Sequence, residues 1–91
     1  MNKQEKAVVT VVGKDTVGIL AKVATQVANA NGNIIEVTQS VMDEFFTMIM
    51  LVDVTALTCP IYELEQALKQ TLPGMEIHVM HENIFNSMHS I

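Results

Sequence analysis

Val9-Thr10-Val11-Val12-Gly13-Lys14-Asp15-Thr16-Val17-Gly18-Ile19-Leu20 joins an apolar strand to an amphipathic helix, and the rest of the chain is arranged around this join. Ala7 to Val12 is rich in β-branched residues and apolar on both faces apart from Thr10, the pattern of a central strand. Gly13 ends the strand. With Gly18 it permits a sharp turn, because glycine adopts positive φ without a Cβ penalty. The helix that follows points its first N–H groups outward, which suits a carboxylate or other anion. Its start is expected at Thr16 or Val17, with Asp15 or Thr16 as N-cap. Val17, Leu20, Val23, Ala24, Val27 and Ala28 recur at helical spacing as the buried stripe. The helix should end at Asn31, with Gly32 at the C′ position.

Beyond Gly32 two stretches alternate. Asn33 to Met42 places Ile35, Val37, Gln39 and Val41 on one face, and Phe45 to Val54 forms the next strand. A tight turn at Asp43-Glu44 sets the register. It pairs Met42 with Phe45, Val41 with Phe46, Gln39 with Met48, Val37 with Met50 and Ile35 with Val52. On the other face it pairs Ser40 with Thr47, Thr38 with Ile49 and Glu36 with Leu51. The hydrophobic sets of two strands then meet on one face, which supports the hairpin more than either strand alone.

Pro60 suits the first position of a second helix, whose stripe is Ile61, Leu64, Leu68 and Leu72, with Glu65 and Lys69 as an i,i+4 pair. Pro73-Gly74 stops it, and Met75 to Glu82 alternates as a last strand. Ile84, Phe85, Met88 and Ile91 fall on one side of a short amphipathic segment that needs a surface to pack on. The order β-α-β-β-α-β is the split βαβ of the ferredoxin-like fold. Right-handed crossovers predict an α+β sandwich, a four-stranded antiparallel sheet in order 4-1-3-2 with two helices on one face. The expected layout is a flexible N-terminus over 1–5, one domain over 6–83, and the amphipathic segment over 84–91.

The chain has 91 residues, a formal net charge of −5 and no Arg. Only Lys3, Lys6, Lys14, Lys22 and Lys69 are available to neutralise phosphates, which argues against a nucleic-acid partner. Cys59 is the one cysteine, so no internal disulfide forms. The polar start carries no signal-peptide pattern, and no stretch approaches a membrane span. A cytoplasmic protein without a membrane partner is expected.

The sheet face away from the helices would hold Val8, Thr10, Val12, Met42, Phe45, Ile49, Leu51 and Met80. So apolar a face usually marks an interaction surface. Self-association as a two-fold homodimer is the simplest expectation, with a protein partner as the alternative.

Metal binding has little support. His78 and His81 point to opposite faces, His89 lies apart, and Met48 and Met50 read as core filling. The first strand lacks the aromatic residues of an RNA-binding sheet. Cys59 lies at a helix start, where a thiolate is stabilised, yet no base accompanies it in sequence. No catalytic constellation is legible, so no enzymatic activity, metal or cofactor is expected.

Gly13-x-Asp15-x-x-Gly18-Ile19-Leu20, followed by a helix running into Asn31-Gly32-Asn33-Ile34, resembles the ACT domain, a small regulatory module that binds amino acids. The resemblance covers roughly residues 6 to 83. It implies a small-molecule effector, an amino acid, held where two domains meet. The implied ligand-binding positions are Gly13, Lys14, Asp15, Thr16, Val17, Gly18, Ile19 and Leu20 of one copy with Asn33 and Ile34 of the other. Helix-start N–H groups would hold the carboxylate, Asp15 the ammonium, and Asn33 either. Gly18 would let the ligand approach the backbone. Some members carry His where this chain has Gly13, which removes one polar contact. The longer run from Val9 to Asp15, with Thr38-Gln39-Ser40 and Phe46-x-Met48-x-Met50, resembles the ACT domains of glycine-cleavage-type regulators and formyltetrahydrofolate deformylases. This chain has one copy, so regulation is expected to act through oligomerisation or a partner protein.

Overall fold

A computed structural model describes residues 4–88. The elements are β1 (Lys6–Lys14), α1 (Ile19–Asn29), β2 (Asn33–Met42), β3 (Phe45–Asp53), α2 (Ile61–Thr71), β4 (Glu76–His81) and α3 (Glu82–Met88). The antiparallel sheet has the order β2-β3-β1-β4, which read from the other edge is the expected 4-1-3-2. Three helices form rather than two. α1 and α2 cover one face, and α3 packs on the other against β1 and β4. Ile91 and His89 lie outside the described residues.

The core follows the period of two. Ala7, Val9 and Val11 of β1, Phe46, Met48, Met50 and Val52 of β3, and Ile77 and Val79 of β4 meet Val23 and Val27 of α1 and Leu64 and Leu68 of α2. Met48 and Met50 are fully buried there, as core filling predicts. No helix among the described residues is long and apolar enough to cross a membrane.

Several local expectations need correction. α1 begins at Ile19, not Thr16 or Val17, and its N-cap is Gly18 in the left-handed region (φ 84, ψ 14), with no side-chain cap from Asp15 or Thr16. The later start turns the helix, so Ile19, Val23 and Val27 form the buried stripe. Val17 is 94% exposed and Leu20 is also exposed. At the other end the left-handed residue is Asn31 (φ 65), not Gly32. The Asn31 N–H donates to the Ala28 carbonyl and the Gly32 N–H to that of Val27, the paired bonds of a Schellman end. Pro60 is the N-cap of α2 rather than its first helical residue. Asp43 makes the glycine-free turn by taking φ 58, which Asp tolerates better than most residues.

The β2–β3 register is as expected from Glu36↔Leu51 to Met42↔Phe45. It shifts at Ile35, where a bulge sets Ile34, not Ile35, opposite Val52. Ile34 packs against the core and Ile35 stays exposed.

Two bonds fix the phase of the ladders. The Asp15 N–H donates to the Glu44 carbonyl and the Val54 N–H to that of Glu5, each at 2.8 Å. Even-numbered residues of β3 therefore bond to β1, and odd-numbered ones to β2. It follows that the N–H groups of Val37, Gln39 and Val41 on β2 point to the open edge. By the same alternation Val79 of β4 points outward on the opposite edge, and there the Glu65 carboxylate accepts its N–H at 2.9 Å.

The entry to β1 is tied down at Glu5, whose N–H donates to Thr55 Oγ1 at 2.8 Å. Beside it, hydrogen bonds from the Thr55 side chain, Gln4 and the Thr55 N–H pull the Asp53 carboxyl from 3.8 to about 2. A depressed pKa means that folding favours the ionised form. This contribution is complete above the ordinary value and is lost as pH falls toward 2. An NMR titration should place the Asp53 midpoint near 2, and Gln4→Ala should raise it.

Candidate functional site

The join between β1 and α1 forms one wall of an open groove of about 580 Å³, lined by Lys14, Asp15, Thr16 and Lys22 on one side and by Thr71 to Met75 on the other. The antiparallel pairing of β1 with β4 makes this groove. Val12 lies opposite Glu76, so the loop entering β4 sits beside the loop leaving β1. Lys14 and Lys22 face it, two of the five lysines in a net-acidic chain. Gly13 belongs here for a steric reason, since a Cβ would fall 2.6 Å from Met75 Sδ.

Asp15, Thr16, Val17 and Gly18 are exposed. No side chain caps the first turn of α1, so its leading N–H groups face the loop. The Asp15 N–H is tied to the Glu44 carbonyl, which anchors the loop to the tip of the β2–β3 hairpin and leaves the carboxylate outside. The groove thus offers two cations and one carboxylate, a set suited to a zwitterion, while the first turn of α1 lies beside its lining and not in it.

Not every expected site residue is present in it. Ile19 is buried at 3% exposure, and Ile34 packs against the core. Asn33 is exposed, but it pairs with Asp53 at the far end of the sheet from the loop. Within one chain the loop and Asn33 do not meet.

Lys22 and the Thr71–Met75 wall did not stand out in sequence. The strand order alone would have found them, because it sets the start of β4 against the end of β1. Cys59 packs against the core. Among the described residues no group of three or more His, Cys, Asp and Glu is placed to hold a metal.

The opposite sheet face is divided. Val8 is buried beneath α3 and Met80 is half-buried, while Val12, Met42, Phe45 and Ile49 remain exposed. Of the amphipathic segment, Phe85 is half-buried, whereas Ile84 and Met88 face outward.

Comparison with known proteins places this geometry. Residues 5–82 match the family profile described as ACT domain. A UPF0237 protein of Methanococcus maripaludis is 44% identical over 89 residues, covering 96% of this chain and 99% of its own. The solved structure of an ACT domain protein from Streptococcus pneumoniae superposes with a TM-score of 0.74 at 36% identity, covering 91% of this chain and 96% of that one. A glycine cleavage system transcriptional repressor shares the fold, with a TM-score of 0.68 at 23% identity, and the match spans 46% of its length.

Proposed function

The chain belongs to the ACT domain family, and from that premise we propose that it is a non-catalytic regulatory domain that binds a small effector, an amino acid, between two copies of itself. The carboxylate lies at the first turn of α1 with Lys14 and Lys22 nearby. The ammonium meets Asp15. Asn33 of the second copy closes the site.

The observation that carries this reading is the tether of the loop to the hairpin tip, Asp15 N–H to the Glu44 carbonyl at 2.8 Å. It puts the loop at one end of β2, and Asn33 lies at the other. β2 is an open edge with no Pro, no Lys and one charge, Glu36, so it lacks the devices that block strand addition. The β4 edge is short, and Glu65 covers part of it. An antiparallel β2–β2′ pairing about a two-fold axis at Gln39 uses the outward N–H groups of Val37, Gln39 and Val41. It sets Val37 opposite Val41, sets Glu36 opposite Met42, and brings no like charges together. The bulge at Ile35 ends the pairing, and Asn33 then reaches the other copy's turn at Asp43-Glu44, where the loop is tied.

Thermal-shift screening with the common amino acids tests the reading. A cognate ligand at 100 times its dissociation constant should add about 2.7 kcal/mol of stability. Asp15→Ala and Asn33→Ala should each remove the shift. If no amino acid raises the Tm, the sensing role is wrong.

A second reading has its own support in the exposed Val12, Met42, Phe45 and Ile49. There the domain is an adaptor that holds a protein partner on this face. Capture of one defined partner, lost in Phe45→Asp and Ile49→Asp but kept in Asn33→Ala, would favour it.

A further inference from the structure

On the face away from α1 and α2, a cavity of about 260 Å³ lies between α3 and the sheet. Four elements build it. Val8 of β1, Ile49 and Leu51 of β3 and Phe85 of α3 make an apolar floor, while Glu36 and Thr38 of β2 with Glu82 and Asn86 of α3 make the rim. Val8 is 4% exposed beneath α3, whereas Ile49 is 40% exposed, so the hollow is packed at Val8 and opens to solvent on the Ile49 side. Among the described residues no Lys, Arg or His lines the cavity. The ion pairs of the described residues involve Glu5, Glu65 and Glu76 and neither of the two rim carboxylates.

Two carboxylates at the mouth of an apolar hollow attract positive charge, and the low-dielectric floor strengthens that attraction. Among the described residues no third Asp, Glu, His or Cys joins the two carboxylates to form a metal cluster. The volume lies just below the usual range for ligand sites, which begins at about 300 Å³, so only a small molecule fits. We propose that this cavity is a second binding site, for a small organic monocation with an apolar body such as an arylalkylamine. The body rests on Val8, Ile49, Leu51 and Phe85, and the ammonium sits between Glu36 and Glu82.

Titration of the ¹⁵N-labelled full chain with 2-phenylethylamine tests the site against phenylacetate, which has a similar body and the opposite charge. The amine should give saturable amide shifts at Val8, Thr38, Ile49, Leu51 and Asn86, and phenylacetate should give none there. Glu36→Gln and Glu82→Gln, both removing charge with little change of shape, should each weaken amine binding about fivefold to tenfold. Asp15→Ala should leave it unchanged, so the outcome is independent of the effector site. The proposal fails if phenylacetate shifts the same amides equally, or if the amine acts elsewhere or without saturation. It also fails if the shifts follow protein concentration instead of amine, which would mark a second copy as the occupant.

Discussion

Gln39→Pro yields a folded monomer. The Gln39 N–H points to the open edge of β2, so the ring removes no bond to β3. Pro is tolerated on edge strands for that reason, and the extended Thr38 already has the conformation required before a proline. Between two copies the effect is severe. Gln39 lies on the two-fold axis, and each ring removes a central donor and pushes the partner strand away. Self-association should weaken by about 100-fold or more, equivalent to roughly 2.7 kcal/mol. Sedimentation equilibrium measures this, and circular dichroism checks the fold. Ser40→Pro is the control. The Ser40 N–H faces Thr47 of β3, so that change removes a ladder hydrogen bond and damages the hairpin itself. A dimer of unaltered strength in Gln39→Pro would move the interface off β2, onto the exposed face of Val12, Met42, Phe45 and Ile49.

Gly32→Ala destabilises the domain through its core. A Cβ there would lie 2.9 Å from Val27 Cγ1 and 3.1 Å from Val52 Cγ1. Both valines are buried, and their branched side chains are stiff at χ1. Neither can swing aside, so the helix end or the strand must shift. Overpacking of this kind costs about 2 kcal/mol, which for a domain of this size lowers the Tm by roughly 10 °C. A Tm within roughly 2 °C of the unsubstituted protein would mean that the core yields at this point. Gly18→Ala separates space from backbone conformation. A Cβ at Gly18 meets nothing within 4 Å, but its φ of 84 disfavours any L side chain, so a smaller loss, about 1 kcal/mol, is expected from that conformation alone.

The contrast between these glycines shows where sequence reading worked and where it stopped. Gly32 was legible as a residue that must be glycine, but for the wrong reason. Asn31 takes the left-handed position, and Gly32 is required by close approach of helix and sheet. The hairpin was legible because two alternations constrain each other. The bulge was not, because Ile34 and Ile35 are both apolar and pattern alone cannot choose which faces inward. The start of α1 was misjudged for a similar reason, since Val17 and Leu20 continue the apolar spacing across a loop that turns later. Of the candidate site, the Lys14–Gly18 loop was legible from Gly18, whereas Gly13 does not end the strand but lies within β1 and is not at positive φ. The Thr71–Met75 wall came only with the topology, because no local pattern links residues so far apart. The covering of Val8 by α3 was legible in part, because Ile84, Phe85, Met88 and Ile91 mark a segment that needs a surface, but not which surface. A helix that short has no signature independent of the surface it packs on.

The shared site is tested most directly by mixing Asp15→Ala with Asn33→Ala and measuring, by calorimetry, the stoichiometry of the amino acid that raises the Tm of the unsubstituted protein. Neither variant alone should bind. After subunit exchange each mixed dimer holds one site with an intact loop and an intact Asn33, so roughly a quarter of all sites should recover. No recovery, in a mixture shown to have exchanged, would mean that the two copies do not build the pocket together.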